Sequence, residues 1–167
     1  EAQRELALAK GMEDELQRVI AEAMAAFAKR DFKRVLELTA MGPSKFERHF
    51  GVEELCWLEG CVATGQDAVD HFDACLMIRP GYALAWCARG IAKDMAELGD
   101  SEEDYTRALR LNPRLQIAWV NRARARQRKG NLKGAAEDCT RALELGELAR
   151  AYAFRALATN SMEDCEK

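Results

Sequence analysis

The sequence predicts an all-α chain built from antiparallel helix-turn-helix repeats, and three observations carry that prediction. First, Ala85-Trp86-Cys87-Ala88-Arg89-Gly90 recurs as Ala118-Trp119-Val120-Asn121-Arg122-Ala123 and again as Ala151-Tyr152-Ala153-Phe154-Arg155-Ala156, each step being 33 residues. A period in this range marks stacked supersecondary units. Second, apolar residues within each period follow helical spacing while turn formers fall between them. Third, 49% apolar and 32% charged residues, with only 7% aromatic and three prolines among 167, describe a folded helical chain rather than a disordered or all-β one.

A second block runs in phase with the first. Phe72, Cys75, Leu76, Ile78 and Pro80 match Tyr105, Ala108, Leu109, Leu111 and Pro113, then Cys139, Ala142, Leu143 and Leu145, where Gly146 and Glu147 replace the closing proline. One block therefore opens each unit and the other closes it.

The elements follow in chain order. Glu13 to Lys29 reads as a long amphipathic helix, Arg30-Asp31-Phe32 as a turn and Lys33 to Ala40 as a short helix ending before Gly42-Pro43. Ser44 to Phe50 is either a helix extension or a linker. Trp57, Gly60, Cys61, Gly65, Ala68, Phe72 and Cys75 outline a unit whose first half is shortened near its turn. In the next unit Gly99-Asp100-Ser101 makes the break, and Ser101 with Asp104 resembles a capping box that opens a helix running to about Leu111. In the unit after that, Gly130 is the turn glycine, and Ala135, Cys139 and Ala142 line one stripe of the helix that follows Asn131. Pro80 and Pro113 stop their helices, because proline supplies no amide hydrogen and restrains the residue before it. Small residues at Gly90, Ala123 and Ala156, and at Cys75, Ala108 and Ala142, let helix axes approach, while Trp86, Trp119 and Tyr152 wedge between helices.

This organises residues 1–167 as a single domain: 13–43 as a degenerate repeat or N-terminal cap, 44–80, 81–113 and 114–146 as repeats, and 147–167 as a partial C-terminal repeat or capping helix. Arg89 precedes Asp104 by 15 residues and Arg122 precedes Asp138 by 16, so each pair is expected to meet across its own hairpin as a structural brace.

Several function classes are excluded. A net charge of −3 argues against a dedicated nucleic-acid binder. No run approaches the roughly 20 apolar residues of a membrane span, and EAQRELALAK lacks the core of a secretory signal. A start without Met suggests a piece of a longer polypeptide. The six cysteines, Cys56, Cys61, Cys75, Cys87, Cys139 and Cys165, form no CxxC pair, and with only His49 and His71 they show no metal-ligand spacing. They read as small buried hydrophobes of a reducing, cytoplasmic compartment. Neither His has a Ser or Cys partner in the pattern, and the glycines punctuate helices instead of forming a phosphate loop. No catalytic residue, cofactor or metal is expected.

An aromatic near the start, a small residue four positions on, a turn glycine, a small-aromatic-small second helix and a closing proline together resemble the tetratricopeptide repeat, most closely in residues 83 to 145. The second unit departs from the family's 34-residue pattern, with a lengthened first helix and a shortened second. The resemblance implies a right-handed superhelix whose first helices line a concave groove for peptides or protein segments, without enzymatic activity. Some family members hold the terminal carboxylate of heat-shock chaperones with Lys, Asn and Arg. Asn121 matches the middle Asn and Arg150 can replace a later Lys, but Cys87, Ile91 and Phe154 cannot donate to a carboxylate, which disfavours that ligand.

In this register the groove carries Leu84, Cys87, Ile91 and Met95, then Ile117, Val120, Asn121, Arg124 and Arg128, then Arg150, Ala153, Phe154 and Leu157. A face that is apolar with basic points suits a partner of hydrophobic and acidic character. Residues 114–145 carry eight Lys or Arg against three Asp or Glu, and residues 44–79 three against seven, so the chain is polarised along its length. Arg122, Arg124, Arg126, Arg128 and Lys129 are too dispersed around their helix for a single RNA-binding stripe. The expected function is a protein-interaction scaffold or adaptor. The alternative is a regulatory or oligomerisation arm of a larger enzyme, homo-oligomeric or with the groove filled by its own chain, and RNA binding ranks below both.

Overall fold

The computed structural model describes residues 2–40, 52–146, 151 and 154–156. Every element among them is helical. The chain divides into two compact units, residues 1–80 and 81–167.

The first unit contains α1 (Ala2–Ala28), α2 (Phe32–Thr39), α3 (Val52–Val62) and α4 (Gly65–Ile78). α1 starts at Ala2 and not at Glu13 as its apolar period suggests. The added turns are rich in Ala, Leu, Glu, Lys, Gln and Arg, whose intrinsic propensity extends a helix without an apolar stripe. Gly11 interrupts them but is exposed. Ala23, Ala26, Val35, Leu38 and Leu58 form the core shared by α1, α2 and α3, with Phe27 and Trp57 packed on it at a ring separation of 6.3 Å. Glu59 is buried on α3 and meets His71 Nδ1 of α4 at 3.2 Å. Burial raises the Glu59 carboxyl above its ordinary range despite the lowering influence of His71 and Thr39.

The second unit contains α5 (Ala83–Ala96), α6 (Glu102–Leu111), α7 (Gln116–Arg128) and α8 (Leu132–Leu145). Cys87, Tyr105, Ala108, Leu109, Ala118 and Ala125 make the core beneath Trp86 and Trp119. A second cluster joins Ala123, Ala135 and Cys139. α5 has 14 residues and α6 has 10, against 13 and 14 in α7 and α8.

The turns explain how α1 and α2 pair despite their weak sequence signal. After α1 the Asp31 amide donates to the Ala26 carbonyl and the Arg30 amide to Phe27, and after α7 the Asn131 amide donates to Arg126 and Gly130 to Gln127, all at 2.9 Å. Both are Schellman closures, with Arg30 at φ 58° and Gly130 at φ 78° in the left-handed region. Asp31 and Asn131 then cap the next helix, accepting from the amides of Arg34 and Gly134. The expected Ser101 and Asp104 capping box does not form. Ser101 makes no side-chain cap bond, and its hydroxyl donates to Asp94 instead. The Glu102 amide is taken by Asp100 Oδ1 at 2.9 Å.

Close approach sets the repeat register. A Cβ built on Gly60 would lie 2.7 Å from the Phe72 ring, and one on Gly90 would lie 2.8 Å from Tyr105. In α7 and α8 the same seam pairs Ala123 with Cys139, so a larger first-helix residue meets a smaller partner. Because Gly60 matches Gly90, Cys56 and not Trp57 occupies the place of Trp86. Trp57 matches Cys87 and turns onto the α1–α2 core.

Gly90→Ala forces the Tyr105 ring aside, and overpacking outweighs the roughly 1 kcal/mol gained in helix propensity. Urea denaturation should show a net loss of about 1–2 kcal/mol. In a Tyr105→Leu background the same Gly90→Ala change should cost less than it does alone, and a stabilised single variant would refute the seam.

Candidate functional site

The candidate site lies on the first helices of the second unit, α5 and α7. Leu84, Ala88, Ile91 and Met95 recur at i, i+4, i+7 and i+11, which places them on one stripe of α5. Leu84 is 44% and Met95 80% exposed, with Ala88 and Ile91 partly buried. The equivalent row on α7, 33 residues later, is Ile117, Asn121, Arg124 and Arg128. Ile117 is exposed, Asn121 is buried, and Arg124 and Arg128 point to α5.

Other residues expected on this face lie elsewhere. Cys87 and Val120 are buried in core clusters, where the stripe's edge meets neighbouring helices. Phe154 is partly buried and packs against the cluster of Val120, Ala142 and Ala151 and the cluster of Ala123, Ala135 and Cys139. Arg150, Ala153 and Leu157 lie outside the described residues.

The basic side chains are engaged within the unit. Arg122 grips Asp138 in a fork, Nε to Oδ2 at 2.9 Å and Nη2 to Oδ1 at 2.7 Å, and its Nη1 reaches Thr106 of α6 at 3.2 Å. Arg89 Nε donates to Asp104 Oδ2 at 3.3 Å, with Lys93 Nζ 2.9 Å from the same oxygen. Each brace also rests on its tryptophan: the Arg89 guanidinium lies 4.5 Å from the Trp86 ring centre and that of Arg122 4.8 Å from Trp119. Arg126 bridges Glu102 at 2.9 Å and Asp138 at 3.0 Å, and Lys129 holds Asp100 at 2.7 Å and Glu102 at 2.9 Å. Most of the positive charge on α7 therefore answers carboxylates of the preceding hairpin.

Asp94 is the residue that sequence reasoning missed. It accepts from Ser101 Oγ and Arg128 Nη2 on Oδ1, and from Tyr105 OH at 2.8 Å and Arg124 Nη2 at 2.9 Å on Oδ2. Burial alone would raise its pKa, but the bonds from Ser101, Arg128, Tyr105 and Arg124 outweigh it and hold the carboxyl below its ordinary range. The available signal was its place beside Ile91 and Met95 on a face otherwise apolar.

Thiol chemistry has little support here. Burial pushes Cys56 and Cys139 up to about 11 and Cys61, Cys75 and Cys87 up to about 12, so none of these is a thiolate at neutral pH. Among the described residues no group of three His, Cys, Asp or Glu converges to hold a metal ion, and no helix is long and apolar enough to cross a membrane.

Paired helices with a recurring tryptophan, arginine and small-residue register define a tetratricopeptide-repeat fold. Solved structures agree on that fold. The chain is similar to the MamA protein, with TM-score 0.76 and 16% identity over 89% of this chain and 82% of that one. It is also similar to TTC0263, a thermophilic TPR protein of Thermus thermophilus, with TM-score 0.63 and 15% identity over 88% and 82%. The first TPR of Spaghetti (RPAP3), solved with an HSP90 peptide, matches with TM-score 0.57 and 15% identity over 90% and 95%. No protein-family model and no curated protein matches the sequence.

The Asp94 carboxyl contributes stability that is full above its unfolded pKa, about 4, and is lost as pH falls through its lower folded value. Asp94→Asn should therefore cost about 2 kcal/mol near pH 7. In denaturant titrations that gap should narrow as pH drops from about 4 towards 2. A gap independent of pH would show that the charge is not what matters.

Proposed function

We propose that the chain is a non-catalytic interaction module that takes a peptide or protein segment on the first-helix face of residues 83–128. The observation that carries this reading is the exposure of Leu84 and Met95 on one row of α5, with Ile91 partly buried between them and Ile117 exposed on α7. Exposed apolar side chains in one row at helical spacing suit the apolar anchors of a bound segment. A relative of the same fold has been solved with a peptide bound, which supports the same use here.

The partner's apolar character is supported more directly than its acidity. Arg124 and Arg128, the basic points of the face, already share Asp94. The same accounting weakens an RNA reading, since Arg122, Arg124, Arg126, Arg128 and Lys129 are matched by Asp138, Asp94, Glu102 and Asp100. A regulatory arm with its groove filled by its own chain would compete with free peptide for this face.

A library of short peptides with apolar residues at i, i+3 and i+4 should contain binders in the micromolar range or tighter, read by fluorescence anisotropy. Leu84→Glu combined with Met95→Glu should weaken them at least tenfold while leaving the thermal midpoint within a few degrees, because both side chains are exposed. Binding unaffected by the double substitution places the site elsewhere, and no binding at all removes the reading.

A further inference from the structure

Asp94 is only 3% exposed in its side chain, although Met95, its neighbour on α5, is among the most exposed residues. Its carboxylate is surrounded by two guanidinium groups and two hydroxyls, and all four donors come from outside α5: Ser101 and Tyr105 at the start of α6, Arg124 and Arg128 on α7. Four convergent donors of this kind are what a protein assembles to recognise a carboxylate.

The charges do not balance at this point. Neutralising Asp94 needs one arginine, and the site has two. Arg128 remains 51% exposed in its side chain, and Arg124 Nε is buried without a hydrogen-bond partner. A buried donor without a partner is costly and calls for an acceptor. A cavity of about 360 Å³ opens beside Arg128, where Lys93 and Lys129 line it together with Asp94, Glu97, Asp100 and Ser101.

We infer that Arg124, Arg128, Ser101 and Tyr105 form a carboxylate-binding site for acidic side chains of a peptide, which Asp94 keeps filled as an internal ligand. Asp94 is then the residue that sets charge specificity. With it in place the face selects apolar segments and gains nothing from acidic ones; without its charge, the same face prefers peptides carrying glutamate beside their apolar anchors. The inference deepens the peptide-binding reading and rests on it for the location of the ligand.

The probe is a fluorescein-labelled, acetylated and amidated peptide of alternating Leu and Glu, compared with its Leu and Gln counterpart. Wild-type protein should bind the two within about threefold of each other. Asp94→Asn, which keeps the shape and an acceptor for Ser101 and Tyr105, should bind the Glu peptide at least tenfold tighter than the Gln peptide. That preference should fall with salt and disappear when Arg128→Gln is added. A folded Asp94→Asn protein with no such preference overturns the inference.

If Asp94→Asn does not fold, the wild-type protein decides. Excess Glu peptide and excess Gln peptide should shift the side-chain Nε–H resonances of Arg124 and Arg128 alike, because Asp94 holds these donors. A saturable shift that only the Glu peptide produces overturns the inference equally. Gln-peptide binding that ignores Leu84→Glu and Met95→Glu instead counts against the apolar face, so the two failures are separable.

Discussion

The seam between the helices of a hairpin governs the rest of this structure. At Gly60 and Gly90 the first helix presents only backbone, and the rings of Phe72 and Tyr105 fill the space a side chain would take. That contact fixes both the separation of the helices and their rotation about their own axes, so it decides which residues face the core and which face outward. Tyr105 does more than Phe72 at the equivalent place: its hydroxyl reaches Asp94 and ties the core of the second unit to the polar cluster on its first-helix face. A change in the seam would thus be transmitted to the candidate site through one ring.

Charge follows from that geometry. The positive residues 114–145 look like a patch awaiting an acidic partner, yet in the folded unit their counterions are Asp94, Asp100 and Glu102 of the preceding hairpin, with Asp138 from their own. The buried members, Asp104 and Asp138, are held by hydrogen-bonded cations, the condition under which a buried carboxylate is tolerated. These bonds fix geometry more than they add stability. The orientation of α7 on α6 is specified by Arg122 reaching both Asp138 and Thr106 and by Arg126 reaching both Glu102 and Asp138.

Much of the helical arrangement was legible because periodicity and turn residues report it directly. A spacing of 15 or 16 residues returns the chain to the same level of a hairpin, which is where Arg89 meets Asp104 and Arg122 meets Asp138. The start of α1 was not legible, since propensity without an apolar stripe gives no period to follow. On the candidate face, a helical wheel supplies angles but not the distance to the next helix, so Cys87, Val120 and Asn121 looked open and are buried. The bond between Ser101 and Asp94 was missed for a related reason: a polar residue at a helix start reads as a cap, and nothing in its spacing points back to α5. Only the fold brings the two together.

The shared closure after α1 and after α7 bears on how such a chain can grow. One turn uses Arg30 and Asp31, the other Gly130 and Asn131, yet both return the backbone through the same hydrogen bonds and launch the next helix from the same kind of cap. The connection is therefore indifferent to most of the side chains around it. What restricts the exchange or duplication of hairpins in this architecture is the match of ring to gap along the seam, together with the pairing of acid on one hairpin with base on the next. A lineage could lengthen or shorten the array without inventing a new bend, provided those complementary surfaces were copied with it.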